Sequence, residues 1–131
     1  MRYKCPDKKS AISILEASQR EMKYTESLEV SEDSGSTIVR NTYECFRMLG
    51  DSLLVSEGIE SEDHIAPIKE LMKLKIATDR PINLVDNLRR LRHNINYYGY
   101  KPSLEEVKEV KAIAKSLFEK IKNEVLRKIK Q

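Results

Sequence analysis

At 131 residues, with four prolines, four glycines and two cysteines, the chain can bury one genuine core but cannot carry a disulfide framework or a zinc-ribbon cysteine set. Charged residues make up 34% and aromatics 6%, a balance rich in Leu, Ile, Lys and Glu that favours helices over a sheet. The net charge of +3 selects no partner by itself. No stretch approaches the roughly 20 apolar residues of a membrane span, and the basic N-terminus lacks the apolar run of a signal peptide. We therefore expect a soluble cytoplasmic protein whose Cys5 and Cys45 are reduced thiols.

In chain order, Asp7 or Ser10 can cap a first helix that runs to about Leu28 on a weak apolar stripe of Ala11, Ile12, Leu15, Ala17 and Met22. The polar run Ser31-Glu-Asp-Ser-Gly-Ser36 breaks it. A second helix is expected from near Ser36 to Glu57. Its buried face is Ile38, Val39, Tyr43, Phe46, Leu49, Leu53 and Leu54, with Gly58 as the residue just past its end. Gly50 inside that helix costs about 1 kcal/mol relative to alanine and marks a close crossing. Ser61-Glu-Asp-His64 opens a third, shorter helix with Ile65, Ile68, Leu71, Met72 and Leu74. Pro67 fits only its first turn, so the regular part starts later than Ser61. His64 reads as a helix-start residue, since no histidine or carboxylate has ligand spacing with it.

The fourth helix is Leu84 to Tyr98. Leu84, Leu88, Leu91, Ile95 and Tyr98 recur at helical spacing, Pro81 stands near its start, and Gly99 with Pro102 ends it. Ser103-Leu-Glu-Glu106 is a capping box that opens the fifth helix, whose stripe is Val107, Val110, Ala114, Leu117, Phe118, Ile121, Val125 and Ile129. There is no internal repeat and no domain boundary. Residues 1–131 thus predict one all-α domain, an antiparallel up-and-down bundle of four to five helices.

Polar groups fall unusually on the fourth helix, around which the chain is expected to be organised. At about 100° per residue, Arg92 lies on the edge of the apolar stripe, beside Leu88 and Ile95. His93 and Tyr97 are an i, i+4 pair on the adjoining face, with Arg89 one turn earlier. These residues can share a groove. Acidic residues crowd Glu16 to Asp33, whereas basic ones gather at Arg80, Arg89, Arg90 and Arg92 and along the last helix. The asymmetry reads either as a footprint for a polyanion or as complementarity within the molecule or a dimer.

Arg92-His93-Asn94-Ile95-Asn96-Tyr97-Tyr98 resembles the motif of HEPN domains, small helical proteins common in bacteria and archaea. Their pattern is an arginine, then usually a polar Asn, Asp or His, with a histidine four to six residues beyond the arginine. Arg92 and His93 match; Tyr97, Tyr98 and Gly99 stand at the three positions allowed to the far histidine. The order of helices fits as well, so the resemblance covers nearly the whole chain. It implies a HEPN-like bundle and a homodimer whose motif residues face a common cleft. In active members it implies metal-independent RNA cleavage, with the arginine steadying charge on the phosphate and the histidine moving protons. Many members are paired with a minimal nucleotidyltransferase, some as toxin–antitoxin systems.

Each role has a physical basis. Arginine is permanently charged and grips phosphate bidentately, and an ordinary histidine titrates near neutrality. An ordinary phenol, with a pKa near 10, is a poor proton carrier but donates a hydrogen bond and stacks on bases. The candidate catalytic residues are therefore Arg92, His93 and Tyr97, with Arg89, Asn96, Tyr98 and Tyr100 as candidate ligand-binding neighbours. Bland alternatives stand beside them: His93 as a surface or interface histidine, Arg92 as one half of a buried ion pair, and Arg89 and Arg90 as a solvated face. No metal site, cofactor motif or DNA-specific motif is present in the sequence. Three functions follow. The first is a binding module for a nucleotide, RNA or a nucleotidyltransferase partner, with weak or no catalysis because Tyr97 replaces the histidine. The second is a toxin-type endoribonuclease using Arg92 and His93. The third is a purely structural interaction module.

Overall fold

A computed structural model describes residues 2–63 and 65–131. The expectation for His64 lies outside the described residues. Five helices, α1 (Lys8–Glu26), α2 (Gly35–Ser56), α3 (Ile65–Met72), α4 (Leu84–Tyr98) and α5 (Leu104–Ile129), make an all-α bundle. Among the described residues no helix is long and apolar enough to cross a membrane.

The ends of the helices are set by local chemistry. The Asp7 carboxylate accepts from the Ser10 N–H at 2.9 Å and starts α1. Ser103 and Glu106 close the capping box on α5, with bonds of 3.1 and 2.9 Å. Gly99 ends α4 in the left-handed conformation, φ +65°, with the Tyr100 N–H returning to the Asn94 carbonyl at 3.1 Å.

Paired contacts along the helices give their directions. Ser52 donates to the Ala11 carbonyl at 2.6 Å and Ser18 to the Cys45 carbonyl at 2.8 Å, so α1 and α2 are antiparallel. These two hydroxyls are buried in the seam, and bonding to backbone carbonyls meets their desolvation cost while their small size keeps the helices close. In α1 the buried stripe is Ala11, Leu15, Ser18, Met22 and Thr25; Ile12 and Ala17 lie at its half-covered margin. The Arg40 Nε donates to Asn96 Oδ1 at 2.7 Å near one end of the α2–α4 contact, and Arg92 meets Tyr43 further along, so this pair is antiparallel too. Phe46 packs edge-on to Phe118 with centroids 5.5 Å apart, and Gly35 lies against Val107, so α2 and α5 run parallel. The long helices therefore alternate in direction along the chain.

The packing hub is α2, and not the motif helix. All four other helices pack on α2, and Ile38, Val39, Tyr43, Phe46 and Leu49 are at most 1% exposed. The reason is that α2 is apolar on more than one side, whereas α4 offers one narrow stripe. Gly50 is the crossing point with α3: a Cβ there would lie 2.1 Å from the Pro67 carbonyl oxygen. Pro67 occupies the first turn of α3, where its missing N–H costs nothing.

Two features differ from expectation. A two-residue ribbon joins β1 (Arg2–Tyr3) to β2 (Ile59–Glu60), with Arg2 opposite Glu60 and Tyr3 opposite Ile59. So short a pairing leaves no periodic signal. Second, the α4 stripe is Val85, Leu88 and Ile95, with Leu84 and Leu91 half-covered toward Val110 and Ile113 of α5. Tyr98, expected on the stripe, is 77% exposed because the buried stripe runs through Val85, Leu88 and Ile95 and leaves Tyr98 to one side of it.

Part of the charge asymmetry is absorbed within the molecule. Lys101 pairs with Glu32 at 3.5 Å, Arg80 pairs with Glu109, and Lys111 donates to the Leu28 carbonyl at 2.6 Å just beyond the C-terminus of α1, where a cation offsets the helix dipole.

Candidate functional site

Val85, Leu88 and Ile95 hold α4 against the core and thereby fix the direction of its remaining side chains. Asp86, one turn before the arginines, binds Arg89 Nε at 2.8 Å and Arg90 at 3.5 Å. That anchors Arg89, whereas Arg90 extends into solvent with 70% of its side chain exposed. Arg92 leaves the same face as Leu88 and is half-buried, its guanidinium 5.5 Å from the centroid of the buried Tyr43 ring. This is a cation–π contact. Burial pushes the Tyr43 phenol above its usual range, and the positive charge of Arg92 works against that shift. Among the described residues no carboxylate lies within ion-pair distance of Arg92, so the ion-pair alternative for this residue finds no partner there.

A groove of about 280 Å³ opens beside it, lined by Arg89, Arg92, His93 and Tyr97 of α4 and by Asp63 and Ile65 at the start of α3. Arg92 and His93 thus reach one groove within a single subunit, despite lying about 100° apart around the helix. A second depression of about 300 Å³ is lined by Arg89, Arg90, Asn94 and His93, so that Arg89 and His93 line both. The His93 ring lies 4.6 Å from the Tyr97 ring at an interplanar angle of 37°, and 5.8 Å from Tyr98 at 70°. Tyr97 is 69% exposed, so much of its ring is accessible to a partner.

The other expected neighbours fall elsewhere. Asn96 is tied to Arg40 on the α2 side. Tyr98 touches His93 from outside the groove. The Tyr100 hydroxyl donates to Glu106 at the start of α5; this bond helps the Ser103 amide hold the Glu106 carboxyl below its usual range. Of the three positions that the motif allows for a far histidine, Tyr97 alone lines the groove. Asp63, Ile65 and Tyr43 were not anticipated at the site. Ser61-Glu-Asp-His64 signals only a helix start, and nothing local to Tyr43 indicates that it will seat an arginine 49 residues later.

A larger cleft, about 400 Å³, lies by the ribbon and holds Lys4, Cys5, Asp7 and Glu60. Its charges are engaged locally: Asp7 with Ser10, and Glu60 with Lys4 at 3.2 Å. Among the described residues no group of three His, Cys, Asp or Glu side chains is placed to hold a metal ion. Comparison with protein-family models, characterised proteins and solved structures gives no match.

Proposed function

We propose that the protein binds single-stranded RNA, or a nucleotide of the same chemistry, in the α3–α4 groove, with little or no cleavage of what it binds. The observation that carries this reading is the meeting of Arg89, Arg92 and His93 with the exposed Tyr97 in one groove. Guanidinium groups bind phosphate in a fixed fork, and an exposed phenol ring stacks on an unpaired base. HEPN-like ancestry remains part of this proposal and rests on Arg92-His93 and the helix order. A nucleotidyltransferase partner belongs to it on the same basis. A cytoplasmic setting is supported by two free thiols and is checked by cell fractionation.

Fluorescence anisotropy of labelled RNA in EDTA tests the reading. Single-stranded RNA should bind saturably, weaken as salt rises and outcompete duplex, whose stacked bases cannot reach Tyr97. No binding, or equal binding of duplex, would leave the protein-partner or purely structural account. We also propose a homodimer across the Tyr98 side of α4, where Tyr98 is 77% exposed beside the groove and Tyr97 is left accessible to the ligand. Ile95 belongs to the core and Leu91 is half-covered, so neither adds to that surface. Light scattering on the same samples should give twice the 15.2 kDa chain mass; a monomer at micromolar concentration removes the shared-cleft part of the proposal.

A second reading, the metal-independent ribonuclease, is favoured by one observation: His93 lines the same groove as Arg92.

A further inference from the structure

One side chain in the groove carries the opposite charge. Asp63 stands across from Arg89, Arg92 and His93, at the lip formed by the start of α3. Its position is fixed: Oδ1 accepts from the Ile65 and Ala66 N–H groups at 3.0 and 2.9 Å, and the Ser61 hydroxyl donates to its carbonyl at 2.6 Å. The Ala66 amide, with the Ile65 amide behind it, holds the carboxyl below its usual range. Asp63 is therefore ionised near neutrality and acts only as an acceptor. The two amide bonds use Oδ1. Among the described residues Oδ2 accepts no hydrogen bond.

A carboxylate would be a poor neighbour for phosphate, but it suits a base edge. With phosphate at the guanidinium groups and a base on Tyr97, the polar edge of that base must meet some group at the lip. Cytosine and uracil stack similarly and differ at the edge: cytosine presents an exocyclic amino donor where uracil presents a carbonyl acceptor. A fixed carboxylate accepts from the first and repels the second. Uracil keeps one ring N–H, but it is flanked by two carbonyl oxygens that the same charge opposes.

We propose that Asp63 selects the base in this groove, its free oxygen accepting from the exocyclic amino group of a base stacked on Tyr97, so that cytosine is preferred to uracil. The inference rests on reading the groove as an RNA site. It assigns Asp63 a role in specificity and none in chemistry.

The test is the ratio of dissociation constants for short labelled oligocytidylate and oligouridylate. Wild-type protein should favour the cytidylate by about tenfold, the worth of one hydrogen bond to a charged acceptor in a partly open site. Asp63→Asn keeps an oxygen for the two α3 amides and turns an amino group to the groove, so the preference should reverse. Asp63→Ser keeps a capping oxygen and removes the carboxylate; its preference should vanish without reversing. Melting curves check that both variants keep the fold, and either variant alone suffices. Binding of both oligomers with a ratio unchanged by the substitutions would overturn the inference and leave the RNA reading standing. Wild-type protein that binds neither oligomer would overturn both.

Discussion

Gly50→Ala is expected to lower the melting temperature by about 10 °C. The added Cβ would lie 2.1, 2.5 and 2.8 Å from the carbonyl oxygen, carbonyl carbon and Cα of Pro67. Those are backbone atoms at the start of a helix, with no rotamer to move aside, so α2 and α3 must separate. Overpacking typically costs about 1–3 kcal/mol, and backbone obstruction puts this site at the upper end or above it. Alanine's better helix propensity returns about 1 kcal/mol. A net loss of about 2.5 kcal/mol corresponds to about 10 °C for a chain of this length. Because α3 carries Asp63 and Ile65 to the groove, ligand affinity should fall too. Gly99→Ala is the control: its φ of +65° is strained for alanine, but nothing lies within 4 Å of the new Cβ, so the cost should stay near 1 kcal/mol. A thermal melt of Gly50→Ala equal to or above wild type would mean that the α2–α3 crossing is looser than described.

Tyr97→His should raise RNA cleavage by about 10²–10⁴-fold in EDTA, the usual worth of a positioned acid–base group. It restores the arginine-x4-histidine spacing of the resembled motif at the one allowed position that faces the groove. Tyr97 is exposed, so the substitution leaves the core intact. The new imidazole would share the groove with Arg92, which can steady the charge that develops on phosphate. Wild-type protein should cleave weakly or not at all, and adding Arg92→Ala to Tyr97→His should remove the gain. Strong wild-type cleavage abolished by His93→Ala would instead make His93 the proton carrier and the ribonuclease the right account. No cleavage in any variant would leave a binding module.

How much of this was legible in the sequence depends on how local the cause is. Gly58 and Gly99, the Ser103–Glu106 box and Pro67 in a first turn mark helix ends through neighbours three or four residues away, and the structure has them as read. The stripe of α5 was equally plain, because a 26-residue amphipathic helix repeats its signal many times. On α4 the same method was ambiguous. Leu88 and Ile95 belong to two overlapping stripes, one with Leu84, Leu91 and Tyr98 and another with Val85 and Arg92. Which stripe is buried depends on where α2 and α5 lie, and that is decided by the whole bundle.

The same limit explains the site. Arg92, His93 and Tyr97 could be placed on adjoining faces from spacing alone, and the structure brings them to one groove. Asn96 and Tyr100 share the motif helix or its end, yet Arg40 and Glu106, distant in sequence, draw them elsewhere. Asp63 enters the groove from another element, and its arrival depends on Gly50 letting α3 approach α2. The net charge of +3 concealed a similar division. Arg80, Arg89 and Arg90 are matched by nearby carboxylates, whereas Arg92 is seated on an aromatic ring.

Arg92 therefore bears the central claim, that the groove takes a phosphate-bearing ligand. The most direct measurement is the affinity of Arg92→Ala for single-stranded RNA, read by anisotropy beside a melting curve of the same sample. Loss of a charged hydrogen-bonding pair typically costs about 1.5–3 kcal/mol, which is a weakening of roughly 10- to 150-fold. The melting temperature should fall by no more than about 4–8 °C, since a half-buried cation–π contact contributes about 1–2 kcal/mol. A large fall in melting temperature with RNA affinity unchanged would contradict the account and make Arg92 a structural residue.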